Sequence, residues 1–268
     1  MKKLFLILLA ILPFILNACS SEDEDNIAKE NSILLDIKIS ENNEQVILYV
    51  YGDKTTIDWG DGKVEDFENI NSFEKESPYH YYKEPGAYQI KIKTDHITDF
   101  TLDRENSVQD IILGNCPVLE VINLNYLNGI QTLDVKNCPQ LQKLILSYMT
   151  SLVSLDISKC DKLKLLNCTA NRYLSYLDIS NNINLETLYC NTNISLNSIK
   201  IGNNIELKQV ILPSNQLEKD ALNKIFTDLP NVSVNEKIIN FWGNPGTADC
   251  DSKIITDKGW TIKDNIIY

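Results

Sequence analysis

The chain has 268 residues, with 25 basic and 37 acidic side chains and a formal net charge of −12. This length is sufficient for two modest domains, each with its own hydrophobic core. The acidic balance argues against nucleic acid as a partner, because phosphate contacts need clustered lysine and arginine and the sequence contains no such cluster.

The first residues predict an export signal. Two lysines precede an apolar run over residues 4–16, which is too short for a membrane span and typical of the core of a signal peptide. The run ends in Leu-Asn-Ala-Cys, which resembles the lipobox of bacterial lipoproteins. The resemblance implies that residues 1–18 are a lipoprotein signal peptide and that Cys19 is lipidated. Asn17 departs from the small residue usual at its position, and an ordinary secretory signal is the alternative.

Residues 19–31 are polar and acidic, which predicts a flexible tether without core material. Their acidic run at 22–25 resembles the export tag of certain gram-negative lipoproteins that are displayed on the outer face of the outer membrane. These resemblances imply a protein that is lipid-anchored in the outer membrane and exposed at the cell surface.

Residues 32–96 have the strand and turn pattern of a β-sandwich, with short apolar or alternating segments separated by Gly-containing turns. The motif Trp-Gly-Asp-Gly at 59–62 is followed by a second motif, His-x-Tyr…Pro-Gly-x-Tyr. The second motif consists of His80, Tyr82, Pro85, Gly86 and Tyr88. Together they resemble a PKD (polycystic kidney disease) domain, which is an immunoglobulin-like sandwich.

The PKD resemblance implies core positions for Trp59 and Tyr88 and a hydrogen-bonded structural role for His80. Asp53 and Asp61 are interpreted as turn-forming carboxylates, with contact to Ca²⁺ as the alternative.

A repeat of eleven residues begins at Ile97. Counting on by eleven residues from Ile97 gives eleven positions, and each of them is apolar. The positions three and five residues after each of them are also apolar, with Cys168 and Cys190 at two of the positions five residues on. The steps are Ile97, Val108, Leu119, Ile130, Leu141, Leu152, Leu163, Leu174, Leu185, Leu196 and Leu207. A right-handed coiled coil is excluded, because apolar positions five residues apart lie about 140° apart around a helix.

The eleven-residue units alternate between two types, so one complete coil takes 22 residues and has a strand on each side. The pattern Leu-x-x-Leu-x-Cys-x-x-Asn resembles the leucine-rich repeats of internalin-type surface proteins, in particular the cysteine-bearing internalin J class. It is carried by Leu163, Leu166, Cys168 and Asn171, and again by Leu185, Leu188, Cys190 and Asn193. Earlier coils depart from it, with Leu124 and Leu146 at the cysteine position and Leu127 and Met149 at the asparagine position.

Regular spacing predicts that the cysteines are buried thiols that act as small apolar side chains. Cys116, Cys138 and Cys160 lie 22 residues apart, as do Cys168 and Cys190. A disulfide and a metal site are the alternatives. Zinc is disfavoured because the sequence has no Cys-x-x-Cys and only two histidines, and we expect no metal or cofactor.

A column of asparagines and a terminal cap complete the predicted repeat. The column comprises Asn171, Asn182, Asn193, Asn204 and Asn215, and we expect these side chains to hydrogen-bond the turn backbone of the next coil. After Asn215, apolar residues at helical spacing precede Pro230, which predicts a helix that closes the open end. Cys250 is expected to be a buried thiol.

The sequence therefore predicts a mainly β fold. It comprises a PKD or immunoglobulin-like β-sandwich over residues 32–96, a leucine-rich repeat solenoid with parallel strands over residues 97–216 and a small α/β cap over residues 217–268.

The presumed concave face of the repeat is the candidate binding surface. Its candidate residues are Asn123, Lys143, Ile145, Leu165, Asn167, Tyr189, Asn191 and Ile211. This face is nearly uncharged and is expected to expose apolar groups, as contact sites do. We therefore predict a protein partner, in adhesion or a related interaction. The opposite strands present a column of acids, Asp134, Asp156 and Asp178, that is expected to be a solvated back.

The alternative function is a carbohydrate-binding accessory protein of a surface glycan-uptake system, with Tyr189 or the pair Tyr126 and Tyr148 as sugar platforms. No nucleophile, phosphate loop or paired-carboxylate motif is visible, so we predict no enzymatic activity.

Overall fold

The computed structural model describes residues 31–71, 77–94, 96–232 and 236–264. The predicted signal peptide, Cys19 and all of the predicted tether except Asn31 lie outside the described residues. The protein is mainly β, with 40% of its described residues in strands and 9% in helices.

The first group of strands runs to residue 113, and most of them alternate buried and exposed side chains because successive residues of a strand point to opposite faces. They are β1 (Ser32–Ile39), β2 (Glu44–Ile47), β3 (Tyr49–Asp58), β4 (Val64–Asn71), β5 (Tyr79–Tyr82), β6 (Gly86–Lys93), β7 (His96–Asp103) and β8 (Val108–Leu113). Strands β2 and β5 form a small antiparallel sheet of their own.

The second group consists of short strands, two for each 22-residue coil as far as β16. They are β9 (Val121–Asn125), β10 (Thr132–Asp134), β11 (Lys143–Ser147), β12 (Ser154–Asp156), β13 (Leu165–Asn167), β14 (Tyr176–Asp178), β15 (Thr187–Tyr189), β16 (Ser198–Lys200), β17 (Gln209–Ile211), β18 (Ile238–Asn240) and β19 (Thr261–Ile262). The helices follow β17: α1 (Lys219–Asp228), a 3-10 turn (Pro245–Ala248) and α2 (Lys253–Asp257).

One large mixed sheet of 13 strands runs through the described chain. Its order is β19-β18-β17-β15-β13-β11-β9-β7-β3-β6-β1-β8, with β4 paired to β3. In this order, each neighbouring pair from β7 to β19 is parallel. The pairs that involve β1, β3, β4, β6 and β8 are antiparallel.

The parallel pairs have a register of 22 residues, which agrees with the period read from the sequence. Val121 pairs with Lys143, and Leu165 pairs with Thr187. On the other side, β10 pairs with β12 and β14 pairs with β16 at the same spacing. Equivalent apolar residues of successive coils therefore stack, as Ile122, Leu144 and Leu166 do in complete burial.

The predicted boundary at residue 96 falls at the start of β7, and backbone pairing continues across it. Strand β7 is antiparallel to β3 on one side and parallel to β9 on the other, and β8 pairs with β1. Nearly all of the buried apolar residues form a single cluster that extends from Ile33 to Trp260.

The parallel pairing also continues beyond Asn215, where the sequence analysis ended the repeat. Ile211 pairs with Asn240, which is 29 residues later rather than 22, and β18 in turn pairs with β19. The longer connection accommodates α1, whose Leu222, Ile225 and Phe226 are buried. This amphipathic helix ends before Pro230, as its sequence predicted.

Candidate functional site

The eight candidate residues come together on one surface. We call β9, β11, β13, β15 and β17 the front strands, and their outward side chains the front face. The register aligns Asn123, Ile145, Asn167, Tyr189 and Ile211 in one row across these strands. Lys143 and Leu165 lie in a neighbouring row, and Asn191 follows Tyr189 by two residues on the same side.

Exposure differs along the front face, and the exposure expected for one candidate is wrong. Lys143 is exposed, and six of the candidates are half-buried, but Ile211 is completely buried. Ile211 lies in register between Tyr189 on β15 and Asn240 on β18. The Tyr189 hydroxyl also donates to Oε1 of Gln209, which lies on β17 with Ile211. The predicted repeat ended at residue 216, whereas β18 pairs with the outer edge of β17 and continues the parallel strands.

The front face is electrically neutral over most of its length. Lys143 carries the one formal charge among the outward residues of the front strands, and β7 borders them with Asp99 and Asp103. Hydrogen bonds fix the polar groups: Asn125 Nδ2 donates to Asn123 Oδ1 at 2.7 Å, and Thr169 Oγ1 donates to Asn191 Oδ1 at 2.8 Å.

Trp242 extends this region and was missed in the sequence. The Ser214 backbone N–H donates to the Trp242 carbonyl, as the Thr192 N–H donates to the Pro213 carbonyl one coil earlier. Trp242 therefore occupies the position of Pro213 in the next coil, and 42% of its surface is exposed. No signal in the sequence indicated the 29-residue offset that places Trp242 there.

Tyr126 and Tyr148 form the stack that the sequence analysis offered as an alternative. Their rings are parallel within 7° with centroids 4.5 Å apart, and the Arg104 guanidinium lies 4.8 Å from the Tyr126 ring centre. All three residues have φ between 58° and 59°, a left-handed conformation that is uncommon for residues with side chains.

The asparagine column is structural, but its hydrogen bonds point the other way from the expectation. Asn171 Oδ1 accepts from the Met149 N–H, and Asn171 Nδ2 donates to the carbonyls of Leu146 and Cys168. Met149 and Leu146 belong to the preceding coil, not to the next one. The Asn171 amide therefore pairs backbone groups of the preceding coil and of its own strand end.

The cysteines of the described chain are free, and five of them are buried, whereas Cys250 is half-buried rather than buried as expected. Cys160 and Cys168 do not contact each other: the Cys160 thiol points to the Val135 carbonyl, and the Cys168 thiol lies 3.0 Å from Cys190 Sγ. Burial, with the Cys168 contact, raises the pKa of Cys190. Both groups of thiols fill the interior of successive coils.

We call β10, β12, β14 and β16 the back strands. The acids at the ends of three of them form tight turns. Asp134, Asp156 and Asp178 each accept a hydrogen bond from the backbone N–H two residues later. Burial raises the pKa of Asp178, but the hydrogen bonds from Ser180 and Lys200 outweigh it and lower this pKa to about 2. The Asp178 carboxylate is thus kept ionised, which suits a structural role and not proton transfer.

The motif residues of the N-terminal part form an aromatic cluster. Trp59 is completely buried, and His80 stacks on it while binding Asp61 Oδ2 at 2.7 Å. Burial acts to raise the pKa of Asp61, but the bond to His80 lowers it overall. Tyr88 is only half-buried, which corrects its predicted core position. Tyr82 occupies the core instead, with its hydroxyl bound to the Trp59 carbonyl.

None of the helices in the described part of the chain is long and apolar enough to span a bilayer. Within residues 31–71, 77–94, 96–232 and 236–264, no three His, Cys, Asp or Glu side chains are placed to hold one metal ion.

Comparison of the chain with protein-family models, with curated proteins and with solved structures finds no significant match.

Proposed function

We propose that the chain is a bacterial surface lipoprotein that binds a protein partner through its front face. In this proposal a lipid on Cys19 holds the protein in the outer membrane, a PKD-like module follows the tether, and a leucine-rich repeat solenoid presents the binding surface. The motif positions, the 22-residue register and the stacked apolar core support this assignment. The proposal gives the described residues no catalytic role.

The observation that carries the binding role is the nearly neutral front face, whose backbone is held in a sheet. Three side chains on adjacent parallel strands are half-exposed: Ile145, Leu165 and Tyr189. Amides and hydroxyls lie among them, and Lys143 is the one charged residue on these strands' outward side. Backbone pairing on both sides fixes the main chain beneath these side chains, so little backbone entropy remains to be lost when a partner binds. Aromatic and aliphatic groups with adaptable polar neighbours are typical of protein contact surfaces.

The binding role can be tested by site-specific cross-linking on intact cells. A photo-reactive amino acid at Leu165 should give a discrete protein adduct, and the same group at the exposed Ser154 of β12 should not. Adding Tyr189→Asp should remove the Leu165 adduct, because a buried unpaired charge opposes docking. The same adducts from Leu165 and Ser154, or none from either, would contradict the proposal.

Lipid anchoring is tested separately by metabolic labelling. Cells that express the full chain with an alkyne-bearing palmitate should incorporate the label, and Cys19→Ser should abolish it because the thiol is the acylation site. Cys250→Ser serves as the matched control and should be labelled like the unmodified chain. Labelling that persists in Cys19→Ser would exclude this residue as the anchor.

A further inference from the structure

A column of left-handed residues follows the ends of β7 and of the front strands. Its members are Arg104, Tyr126, Tyr148, Ala170, Thr192 and Ser214, with φ between 58° and 61°. From Arg104 to Ser214 each backbone N–H donates to a carbonyl of the following coil, at 2.9–3.0 Å. Identical backbone geometry in every coil means that the side chains of this column project in register, one coil apart.

The stack of flat groups in this column stops abruptly. Arg104 covers one face of Tyr126, and Tyr148 covers the other. Tyr148 has Tyr126 on one face only, because Ala170 contributes just a methyl group in the next coil. Accordingly Tyr126 is half-buried, whereas Tyr148 is 43% exposed. The outer face of Tyr148 thus borders a space about one coil spacing deep, on the order of 4.8 Å.

Neutral polar groups surround this space. The Thr192 side chain stands one coil beyond Ala170 in the same column, and Thr169 and Asn191 lie beside it on the front face. Asn191 Nδ2 contacts the Thr192 hydroxyl at 3.5 Å, so hydroxyl and amide groups form one connected edge. The column continues with small side chains to Ser214, next to the exposed Trp242.

We propose that the outer face of Tyr148 binds a pyranose ring of a neutral oligosaccharide. One face of a pyranose presents C–H bonds, which are attracted to the negative face of an aromatic ring, and its edge presents hydroxyls. A sugar above Ala170 therefore stacks on Tyr148 while its hydroxyls reach Thr192 and Asn191. A planar cation is disfavoured because Arg104 already lies in the same stack. This site lies at the strand ends and does not rest on the proposed protein-binding role.

The decisive variant is Ala170→Tyr, which extends the protein's own stack into the space. Tyrosine is already accommodated at this backbone geometry in Tyr126 and Tyr148, so the variant should fold. Titration calorimetry of the purified full-length protein would use cello-, malto-, xylo-, manno- and laminaritetraose as probes. We expect at least one of them to bind, with a loss of affinity of about tenfold or more in both Tyr148→Ala and Ala170→Tyr.

Tyr176→Ala is the matched control, because Tyr176 is an exposed tyrosine on a back strand and should leave binding unchanged. Failure of all five sugars to bind at millimolar concentration would overturn the proposal. So would sugar binding that Ala170→Tyr leaves intact, or binding of N-acetyltyrosine amide alone with the same dependence on Tyr148. None of these results bears on the cross-linking at Leu165.

Discussion

Replacing Asn171 with alanine should lower the free energy of unfolding by about 4 kcal/mol, because three buried backbone groups lose their hydrogen bonds at roughly 1–3 kcal/mol each. The Met149 N–H and the carbonyls of Leu146 and Cys168 all bond to this one side chain, which is completely buried. Urea denaturation followed by far-ultraviolet circular dichroism would measure the change as a lower midpoint.

A second substitution at the same position separates hydrogen bonding from packing. Asn171→Met places there the residue that occupies the equivalent position one coil earlier, at Met149, and it fills the volume without an amide. We expect most of the loss to remain. The exposed Asn181 provides the control, since Asn181→Ala should change the midpoint little. Full stability in Asn171→Met would show that the amide contributes only its volume.

Replacing Glu105 with glutamine should stabilise the protein at pH 8 by about 1–2 kcal/mol and leave it unchanged at pH 4. Burial raises the pKa of Glu105 to about 7, assisted by the nearby Glu44 and Asp103 carboxylates, while the hydrogen bond from the Ile47 N–H opposes the rise. That bond, at 3.3 Å to Oε1, links the turn after β7 to β2, and a glutamine oxygen can accept it equally.

The direction of the pH effect follows from the two protonation states. Below pH 4.5 the carboxyl is protonated in both the folded and the unfolded chain, so it imposes no penalty. Between pH 4.5 and 7 only the unfolded chain ionises, and stability falls with rising pH; above pH 7 the penalty is constant. Denaturant midpoints of the two proteins from pH 4 to pH 8 would show the difference. Glu120→Gln, at an exposed position, should give none.

Much of the repeat was predictable because its signal is local and recurs. Equivalent residues 22 apart pair in the sheet, so the apolar residues Ile122, Leu144 and Leu166 had to share one interior. The helix before Pro230 was predictable for the same reason, since an amphipathic pattern and its stop signal lie within one short segment.

The candidate surface was only partly predictable, because exposure depends on which strand comes last. Seven of the eight candidate residues keep exposed or half-buried positions, but Ile211 is buried by a neighbour that arrives after an insertion. The same insertion brings Trp242 to the strand ends, where no 22-residue rule would place it. The Tyr126–Tyr148 stack was foreseeable from spacing, whereas its open face requires knowing the shared left-handed backbone.

The sequence by itself determined the period, the inward positions and the chemical character of each row, because side-chain spacing decides which residues can share a face of a strand. Only the tertiary structure decided that β7 joins the antiparallel strands to the parallel ones in one sheet, and that the half-buried Glu105 contacts β2. Those features depend on contacts between segments far apart in the chain, and no local pattern specifies where a strand edge or a turn finds its partner.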